Sequence, residues 1–374
     1  MFTTKKIAAV SVINDLVSDQ RVQKTCGVLI ESGYEVILIG RELPDSPKLP
    51  QWKFKTHRMK LIFKSGPAFY FFFNLRLFFK LLFTKCHLLF SNDLDTLWPN
   101  YLISKFKKIP LVYDSHELFC EVPELLNSPF KRKLWQRMER RIVPKLKNCI
   151  TVNESIAKIF DEKYKVKFTV IRNIPETIPG LIPASRKELN MPEDKKIIIL
   201  QGAGININRG AEEMIEAMHH INNAMLYIIG GGDVWKMLES KLKEQKLQEK
   251  VVLIKTIPKI KLMSYTRCAD LGLSLDKNTN LNYFNSLPNK IFDYIHAGIP
   301  VLASPFPEIE KIITKYNIGT FINSHQPEHI AETINRLLAS PDYQKYKENT
   351  LLAAKELNWE NEKQKFLQII KQIH

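Results

Sequence analysis

Short apolar runs alternate with amphipathic segments along almost the whole chain. Residues 6–12 and 34–39 are apolar runs of strand length, and residues 19–32 between them carry apolar positions at helical spacing. Gly33 follows the last of those positions, where a glycine in the left-handed conformation commonly ends a helix. Strands that alternate with helices of about 10–15 residues indicate βαβ units and a parallel sheet. The pattern therefore predicts an α/β fold.

The alternation is interrupted once. Residues 173–191 contain three prolines and show no periodicity, which is typical of a linker, and the alternation restarts at Lys196. We therefore predict two doubly wound, Rossmann-like domains of similar size, residues 1–172 and 173–355, that face each other across a cleft. Ligands of such sheets bind outside the carboxyl ends of the strands, so functional residues are expected there.

Positive charge is concentrated in the first half of the chain. The protein has 374 residues, with 55 Lys and Arg against 39 Asp and Glu and a net charge of +16. Residues 1–180 hold 30 basic and 17 acidic side chains, whereas residues 181–374 hold 25 and 22. Such a field indicates an anionic partner: a phosphorylated substrate, an anionic membrane surface or nucleic acid. Nucleic acid is not expected, because the basic half has no zinc-finger or RRM-type motif and its aromatic residues are clustered.

The aromatic cluster lies in residues 68–90, AFYFFFNLRLFFKLLFTKCHLLF. The segment is long enough to span a bilayer, but Asn74, Arg76, Lys80 and Lys85 interrupt it, and a central cation costs roughly 2.5–3.5 kcal/mol on insertion. The cations fall on about one stripe of a helix, as in helices that lie in a membrane interface. The alternative is a helix packed on the first sheet, with its cations reaching water. The sequence leaves both interpretations open.

Cysteine and histidine usage constrains the compartment and the cofactors. The five cysteines are scattered, odd in number and form no CxxC pair, which argues against a disulfide framework and indicates a reducing compartment. The N-terminus has no apolar leader, so we expect a cytoplasmic protein, at the inner face of the membrane if residues 68–90 touch lipid. The isolated His57, His87 and His296 make no metal set with nearby carboxylates, so no metal is expected.

The strongest constellation is SLPNKIFDYIHAGIPVLA, residues 286–303. Pro288 suits the first turn of a helix, and the backbone N–H groups of residues 286–289 would then form an anion site at the helix N-terminus. Lys290 adds a cation in the first turn, where the helix dipole disfavours it, and a bound phosphate would explain this placement. Asp293, about one turn later, is suited to bind ribose hydroxyls through charge-assisted hydrogen bonds.

These residues resemble the nucleotide-sugar signature of GT-B glycosyltransferases, in particular the retaining glycosyltransferase family 4. That family carries two acidic residues eight positions apart, ahead of a strand entry of the form small-residue–Gly–x–Pro–Val. Asp293 stands at the second acidic position and is followed by AGIPV, residues 297–301. Asn285 replaces the first acidic residue, which contacts the donor sugar in the family, so the identity of the sugar is left open.

The resemblance extends to both predicted domains. QGAGININRG, residues 201–210, resembles the turn whose cation binds the donor diphosphate; Arg209 holds the place of that cation, and Ala203 replaces a second Arg. VYDSHELF, residues 112–119, resembles the loop whose His faces the reacting sugar. The resemblance implies catalytic roles for His116, Arg209, Lys290 and Asp293, and donor contacts from Gly202, Gly204, Thr256, Ile257, Asn285, Ser286, Leu287 and Asn289.

The acceptor side is implied by the resemblance alone. Asn14 and Arg21, near the end of the first strand, match an acceptor-side loop, and Glu117 beside His116 would orient the ring or face the acceptor. The last residues, 356–374, match a helix that returns to the first domain.

The implied activity is transfer of a sugar from a nucleoside-diphosphate sugar to an acceptor hydroxyl, with retention at the anomeric carbon and without a metal or cofactor. The reaction requires that negative charge on the departing diphosphate be absorbed, which Arg209 and Lys290 are able to do. A glycan or lipid-linked acceptor, in cell-surface polysaccharide or glycolipid synthesis, is the expected partner. Two alternatives stay open: a GT-B-fold sugar-nucleotide epimerase, and a non-catalytic protein that binds nucleotide sugar or a polyanion.

Overall fold

The regular elements of the chain form two parallel sheets flanked by helices. A computed structural model describes residues 5–17, 19–44, 46–176 and 183–373. Internal contacts divide the chain into an N-terminal unit, Met1–Asn173 with Glu360–His374, and a C-terminal unit, Ile174–Trp359. Part of the predicted linker, residues 177–182, lies outside the described residues.

The N-terminal unit is built on a seven-stranded sheet. The strands at its centre are short apolar runs, and Ala8, Ala9 and Val10 are fully buried, as expected for a parallel sheet that is covered on both faces, whereas the edge strand Lys55–Lys60 is polar. The strands are β1 (Ile7–Asp15), β2 (Glu35–Glu42), β3 (Lys55–Lys60), β4 (Leu88–Asn92), β5 (Leu111–Ser115), β6 (Asn148–Thr151) and β7 (Thr169–Val170). They pair in parallel in the order β3-β2-β1-β4-β5-β6-β7.

Six helices follow these strands in the N-terminal unit. They are α1 (Gln20–Glu31), α2 (Gly66–Phe83), α3 (Leu94–Lys107), α4 (Pro123–Leu126), α5 (Pro129–Ile142) and α6 (Glu154–Tyr164). The Asp19 carboxylate caps α1 by accepting a hydrogen bond from the backbone N–H of Val22. Gly33 has a φ of +88° just after this helix, so the predicted glycine stop is confirmed.

The aromatic segment, residues 68–90, is not one helix. α2 ends at Phe83, and the segment runs on into the buried strand β4. Phe69, Phe73, Leu77 and Leu81 recur at every fourth position and enter the core, so the interpretation as a helix packed on the sheet is confirmed for this face. Across the described residues, no helix is both long and apolar enough to cross a bilayer.

The C-terminal unit repeats the architecture with six strands. Its strands are β8 (Lys196–Gly202), β9 (Ala224–Gly230), β10 (Val251–Lys255), β11 (Leu271–Ser274), β12 (Val301–Ala303) and β13 (Gly319–Phe321). They also pair in parallel, in the order β10-β9-β8-β11-β12-β13. In both sheets the first strand of the unit lies near the middle and the order reverses beside it, which is the Rossmann-like arrangement.

Nine helices complete the described part of the chain. They are α7 (Ala211–Ala217), α8 (Trp235–Glu244), α9 (Lys259–Cys268), α10 (Leu281–Phe284), α11 (Asn289–Ala297), α12 (Pro307–Tyr316), α13 (Pro327–Leu338), α14 (Tyr343–Glu356) and α15 (Trp359–Lys371). Almost all of α15 belongs to the N-terminal unit, where Phe366 contacts Phe90 of β4 with 5.9 Å between ring centroids. Glu362 accepts a hydrogen bond from the backbone N–H of Arg172 in the same unit.

Candidate functional site

Two loops interlock at the carboxyl ends of β8 and β9. The backbone N–H of Ile205 donates to the C=O of Gly231 at 2.6 Å, and the N–H of Gly231 donates to the C=O of Gly202 at 3.3 Å. Gly230 has a φ of +151°, and a Cβ there would lie 1.8 Å from the Gly202 oxygen. The GGG run is therefore required for close backbone approach, and it fixes the path of the loop that carries Arg209.

The same loop is fastened to the end of β11. The backbone N–H of Lys277 donates to the C=O of Asn208 at 2.8 Å. The Arg209 guanidinium then lies over the Tyr283 ring, 4.6 Å from its centroid, with Nη1 3.5 Å from Oδ1 of Asp276. Arg209, which the loop motif predicted, is thus held by the Tyr283 ring and the Asp276 carboxylate. The sequence alone identified neither partner.

Lys290 reaches the same carboxylate from the first turn of α11. Its Nζ lies 3.4 Å from Oδ2 of Asp276, and its side chain is only 10% exposed. Burial lowers the pKa of Lys290; Asp276 opposes this effect and Arg209 adds to it. The structure therefore brings together the two predicted diphosphate cations, with Asp276 between them.

Asp293 lies on a separate hydrogen-bonded chain. Gln201, at the end of β8, donates from Nε2 to Oδ2 of Asp293 at 3.0 Å and accepts from Oγ1 of Thr266 at 2.6 Å. Lys290 and Asp293 are three residues apart on α11 and hence neighbours on its surface. The predicted ribose carboxylate is thus positioned by Gln201 and Thr266, which sequence reasoning missed.

The start of α11 differs from the prediction. The short helix α10 precedes it, and the backbone N–H and Oγ of Ser286 both donate to the C=O of Tyr283. Pro288 has no N–H, so the predicted array over residues 286–289 is reduced to the N–H groups of Leu287 and Asn289. Asn285 is 7% exposed, and its Nδ2 donates to the C=O of Leu281 at 2.8 Å. The side-chain amide expected at the donor sugar is therefore used to cap α10.

The remaining predicted donor residues lie on the loops after β8 and β10. Gly202 and Gly204 flank the turn that interlocks with the glycine run. Thr256 is exposed just after β10, where its Oγ1 would lie 3.1 Å from a Cβ at Gly231. Ile257 packs against the core of the unit. All four positions are at the carboxyl edge of the second sheet, as the topology predicts.

In the N-terminal unit, His116 is a bridge between two carboxylates. Its Nδ1 lies 3.1 Å from Oδ2 of Asp93, and its Nε2 lies 3.4 Å from Oδ2 of Asp114. Burial by itself lowers the pKa of His116, but Asp93 and Asp114 outweigh it and raise the pKa to about 9. The ring is therefore an imidazolium at neutral pH and does not serve as a general base there. Its Nε2 has no hydrogen-bond partner within the described residues, and the predicted contact with a sugar stays a prediction.

Arg21 is held inside the N-terminal unit. Its guanidinium makes a bidentate pair with Asp114, Nε to Oδ2 at 2.9 Å and Nη2 to Oδ1 at 2.7 Å, and Nη1 donates to the C=O of Ile171 at 2.7 Å. Burial alone would raise the pKa of Asp114, but Arg21 and then His116 lower it to about 2. Arg21 is only 6% exposed, so its geometry suits a positioning role, and its predicted place on the acceptor side stays a prediction.

Asn14 and Glu117 remain accessible. Asn14 is exposed, and its Nδ2 donates to Oδ2 of Asp19 at 3.4 Å. Glu117 is half-buried, and its backbone C=O accepts from Oγ of Ser115 at 2.9 Å. Their acceptor-side role stays a prediction. Within the described residues, no three His, Cys, Asp or Glu side chains are grouped so as to hold a metal ion.

Two family profiles match most of the chain. Residues 20–178 match Glycosyltransferase Family 4, and residues 182–352 match Glycosyl transferases group 1. The chain belongs to the glycosyltransferases, and its two Rossmann-like sheets give it the GT-B fold. The resemblance carried by the residues around Asp293 is thereby confirmed.

Known proteins show how far the likeness extends. The solved structure of sucrose-phosphate synthase from Thermosynechococcus elongatus is 18% identical with a TM-score of 0.80, covering 98% of this chain and 99% of that one. Anabaena HepE, solved in complex with UDP and glucose, is 14% identical with a TM-score of 0.74, covering 99% and 100%. At sequence identities of 18% and 14%, the similarity shows only that this chain shares the fold of these two proteins.

Among curated proteins, the UDP-glycosyltransferase TURAN of Arabidopsis thaliana is 23% identical over 228 residues, which are 59% of this chain and 45% of that protein. The chain spans about half the length of the curated relatives it matches.

Proposed function

We propose that this protein transfers a sugar from a nucleoside-diphosphate sugar to an acceptor hydroxyl, with retention at the anomeric carbon and without a metal ion. The observation that carries the proposal is the pair of cations, Arg209 and Lys290, gathered on one carboxylate at the carboxyl edge of a Rossmann-like sheet. UDP is the nucleotide that we propose first for the donor, because HepE, which shares the fold, was solved with UDP.

The diphosphate is proposed to bind where Asp276 now holds the two cations. A diphosphate carries more negative charge than one carboxylate and offers more acceptor oxygens, so it competes for the same donors. The bond from the anomeric carbon to the diphosphate oxygen breaks, and its electron pair leaves on the diphosphate. The acceptor oxygen forms the new bond and its proton passes to the diphosphate. Arg209 and Lys290 stabilise the charge that develops on the leaving group.

The nucleoside is proposed to bind beside Asp293. A carboxylate accepts hydrogen bonds from both hydroxyls of a ribose, and the Gln201–Thr266 chain fixes its rotamer before the ligand arrives. The base would then meet Thr256 and Ile257, just after β10, which lies two strands from β8 in the sheet. The donor would therefore lie along the carboxyl edge of the second sheet, with its nucleoside toward β10 and its diphosphate toward β11.

His116 is proposed to act through the carboxylates of Asp93 and Asp114, which it contacts. As a partly exposed imidazolium it keeps Asp93 and Asp114 in place at the ends of β4 and β5, where ligands of this sheet type bind. A glycan or lipid-linked hydroxyl is the proposed acceptor, and Asn14 and Glu117 are the accessible polar residues offered to it. The cytoplasm is the proposed location, which agrees with five unpaired cysteines.

Product analysis with a panel of UDP-, GDP-, ADP- and CDP-sugars tests the proposal. Transfer to an added hydroxyl acceptor, lost in Lys290→Ala and kept in the exposed control Lys236→Ala, supports it. An isomerised sugar nucleotide formed from donor alone would identify an epimerase instead. Donor binding without turnover for any acceptor would identify a binding protein.

A further inference from the structure

The outer side of α2 exposes a row of phenylalanines. The buried stripe of this helix runs at every fourth residue from Phe69 to Leu81, whereas Phe72, Phe79 and Phe83 follow spacings of seven and four along another stripe. These three rings are 42%, 49% and 83% exposed. Phenylalanine is among the residues most often buried, so a row of exposed rings marks an interaction surface.

The row continues into the loop before α2. Phe63 stacks on Phe72 with 5.3 Å between ring centroids, and Phe71 meets Phe72 edge-on at 5.4 Å. Ile62 beside them is 93% exposed. We call this surface the aromatic face; its members are Ile62, Phe63, Phe71, Phe72, Phe79 and Phe83.

Basic side chains accompany the aromatic face. Residues 61–92 contain no Asp or Glu, but they include Lys64, Arg76, Lys80 and Lys85. All four are exposed or half-exposed. The surface therefore fits a partner that is apolar and negatively charged at once, and an anionic bilayer has both properties.

A basic cavity opens next to the aromatic face. It has a volume of about 330 Å³ and lies at the carboxyl ends of β2 and β3, with Arg41, Lys60, Lys64 and Phe63 in its lining. Arg41 stacks over Phe69 at 4.9 Å, and its buried Nε has no hydrogen-bond partner among the residues that the structure describes.

One carboxylate also lines the cavity. Glu42 lies 3.8 Å from Nζ of the highly exposed Lys60, so among the lining residues that the structure describes three cations face one acid. The excess of positive charge and the vacant Arg41 donor suit a phosphate group.

We propose that the aromatic face docks on an anionic phospholipid bilayer, with its rings in the interface and a lipid phosphate headgroup in the Arg41 cavity. Helical spacing puts Phe72, Phe79 and Phe83 on the same side of α2 as Arg76, as in helices that lie parallel to a membrane surface. The inference does not rest on the proposed sugar transfer, because the aromatic face belongs to the N-terminal unit and the diphosphate residues to the C-terminal unit.

Co-sedimentation of the full chain with lipid vesicles tests this docking. The wild type is expected to pellet with equimolar phosphatidylcholine and phosphatidylglycerol and to stay in solution with phosphatidylcholine alone. Phe72→Ser/Phe79→Ser/Phe83→Ser is expected to lose binding at least about tenfold, because three rings leave the interface. Lys60→Ala/Lys64→Ala is expected to lose roughly fivefold per cation, and less in high salt.

A matched control removes exposed apolar side chains elsewhere. Leu351 and Leu352 on α14 are 55% and 59% exposed, and Leu351→Ser/Leu352→Ser is expected to bind vesicles as the wild type does. Circular dichroism and thermal denaturation should show that all variants stay folded. Wild-type protein that stays in solution with both vesicles would overturn the proposal. So would a triple variant that still binds, or self-association through this face without vesicle binding.

Discussion

Arg209 and Lys290 share one carboxylate: Nη1 of Arg209 lies 3.5 Å from Oδ1 of Asp276, and Nζ of Lys290 lies 3.4 Å from Oδ2. Arg209, on a loop, and Lys290, in the first turn of α11, carry like charges that repel each other, and the repulsion grows as burial lowers the effective dielectric constant. Asp276 is 3% exposed and offsets this repulsion while no phosphate is bound. In the diphosphate site that we propose, Asp276 therefore holds the two cations together, which would reduce the reorganisation that binding requires.

Replacing Asp276 with Asn tests that role. The two cations then lose their counter-ion, and we expect the free energy of unfolding to fall by about 1–3 kcal/mol, less than for a fully buried pair because Arg209 is partly exposed. UDP should restore the missing negative charge, so its stabilising effect should be larger in the variant than in the wild type. Thermal unfolding with and without UDP measures both effects. The exposed Glu244→Gln is the control, and an equal UDP shift in Asp276→Asn would contradict the assignment.

Removing either cation should slow transfer without unfolding the protein. Arg209→Ala and Lys290→Ala are expected to lower kcat/KM by about 100- to 1,000-fold, as for the loss of one donor to a developing oxyanion. Steady-state kinetics with saturating acceptor measure the loss, and circular dichroism checks the fold. Wild-type turnover in either variant would remove that residue from the mechanism.

The His116 bridge predicts a pH dependence of stability. Folding raises the pKa of His116 from 6.5 to about 9, so its contribution is complete below pH 6.5 and is lost as the pH rises through about 9. The full contribution is about 3 kcal/mol. Denaturant unfolding of the wild type and of His116→Gln between pH 6.5 and about 9 isolates the contribution of His116 to stability, because the two proteins share their other titrating groups. The stability gap between the two proteins should narrow at high pH; a constant gap would contradict the charged bridge.

Glycine substitution tests the interlocked loops. Gly230→Ala places a methyl group 1.8 Å from the Gly202 oxygen at a φ of +151°, so we expect a loss of about 3–5 kcal/mol and weaker UDP binding. Gly27, inside α1, has open space around the added Cβ, and Gly27→Ala is expected to be neutral or to stabilise by about 0.5–1 kcal/mol. Thermal denaturation compares the two. A tolerated Gly230→Ala would mean that the loops do not meet as described.

Most of the elements and their order were predictable because each is set by local spacing, whereas the polar edge strand β3 and the strand β4 at the end of the aromatic segment were not. The stop at Gly33 and the strand–helix alternation require only periodicity, and parallel pairing follows from the alternation. Arg209 and Lys290 were also predicted, but the spacing of motifs does not reveal which carboxylate lies between them.

The missed residues depend on contacts between distant segments. Asp276 and Asp93 both follow a buried strand directly, so the rule that ligands bind at carboxyl ends would have identified them as candidates. No comparable signal marks Thr266, which reaches Gln201 from a neighbouring helix. Asn285 and Ser286 were assigned to the donor because α10 was not predicted: a four-residue helix leaves no periodic pattern, and Nδ2 of Asn285 and Oγ of Ser286 donate to its carbonyl groups.

Calorimetric titration with UDP and with uridine tests the central assignment most directly. The wild type is expected to bind UDP roughly a hundredfold or more tightly than uridine, since two charge-assisted contacts of about 1.5–3 kcal/mol each go to the diphosphate. In Arg209→Ala/Lys290→Ala that preference should nearly vanish, while the uridine affinity is unchanged. A double variant that still prefers UDP by the wild-type factor would contradict the diphosphate site.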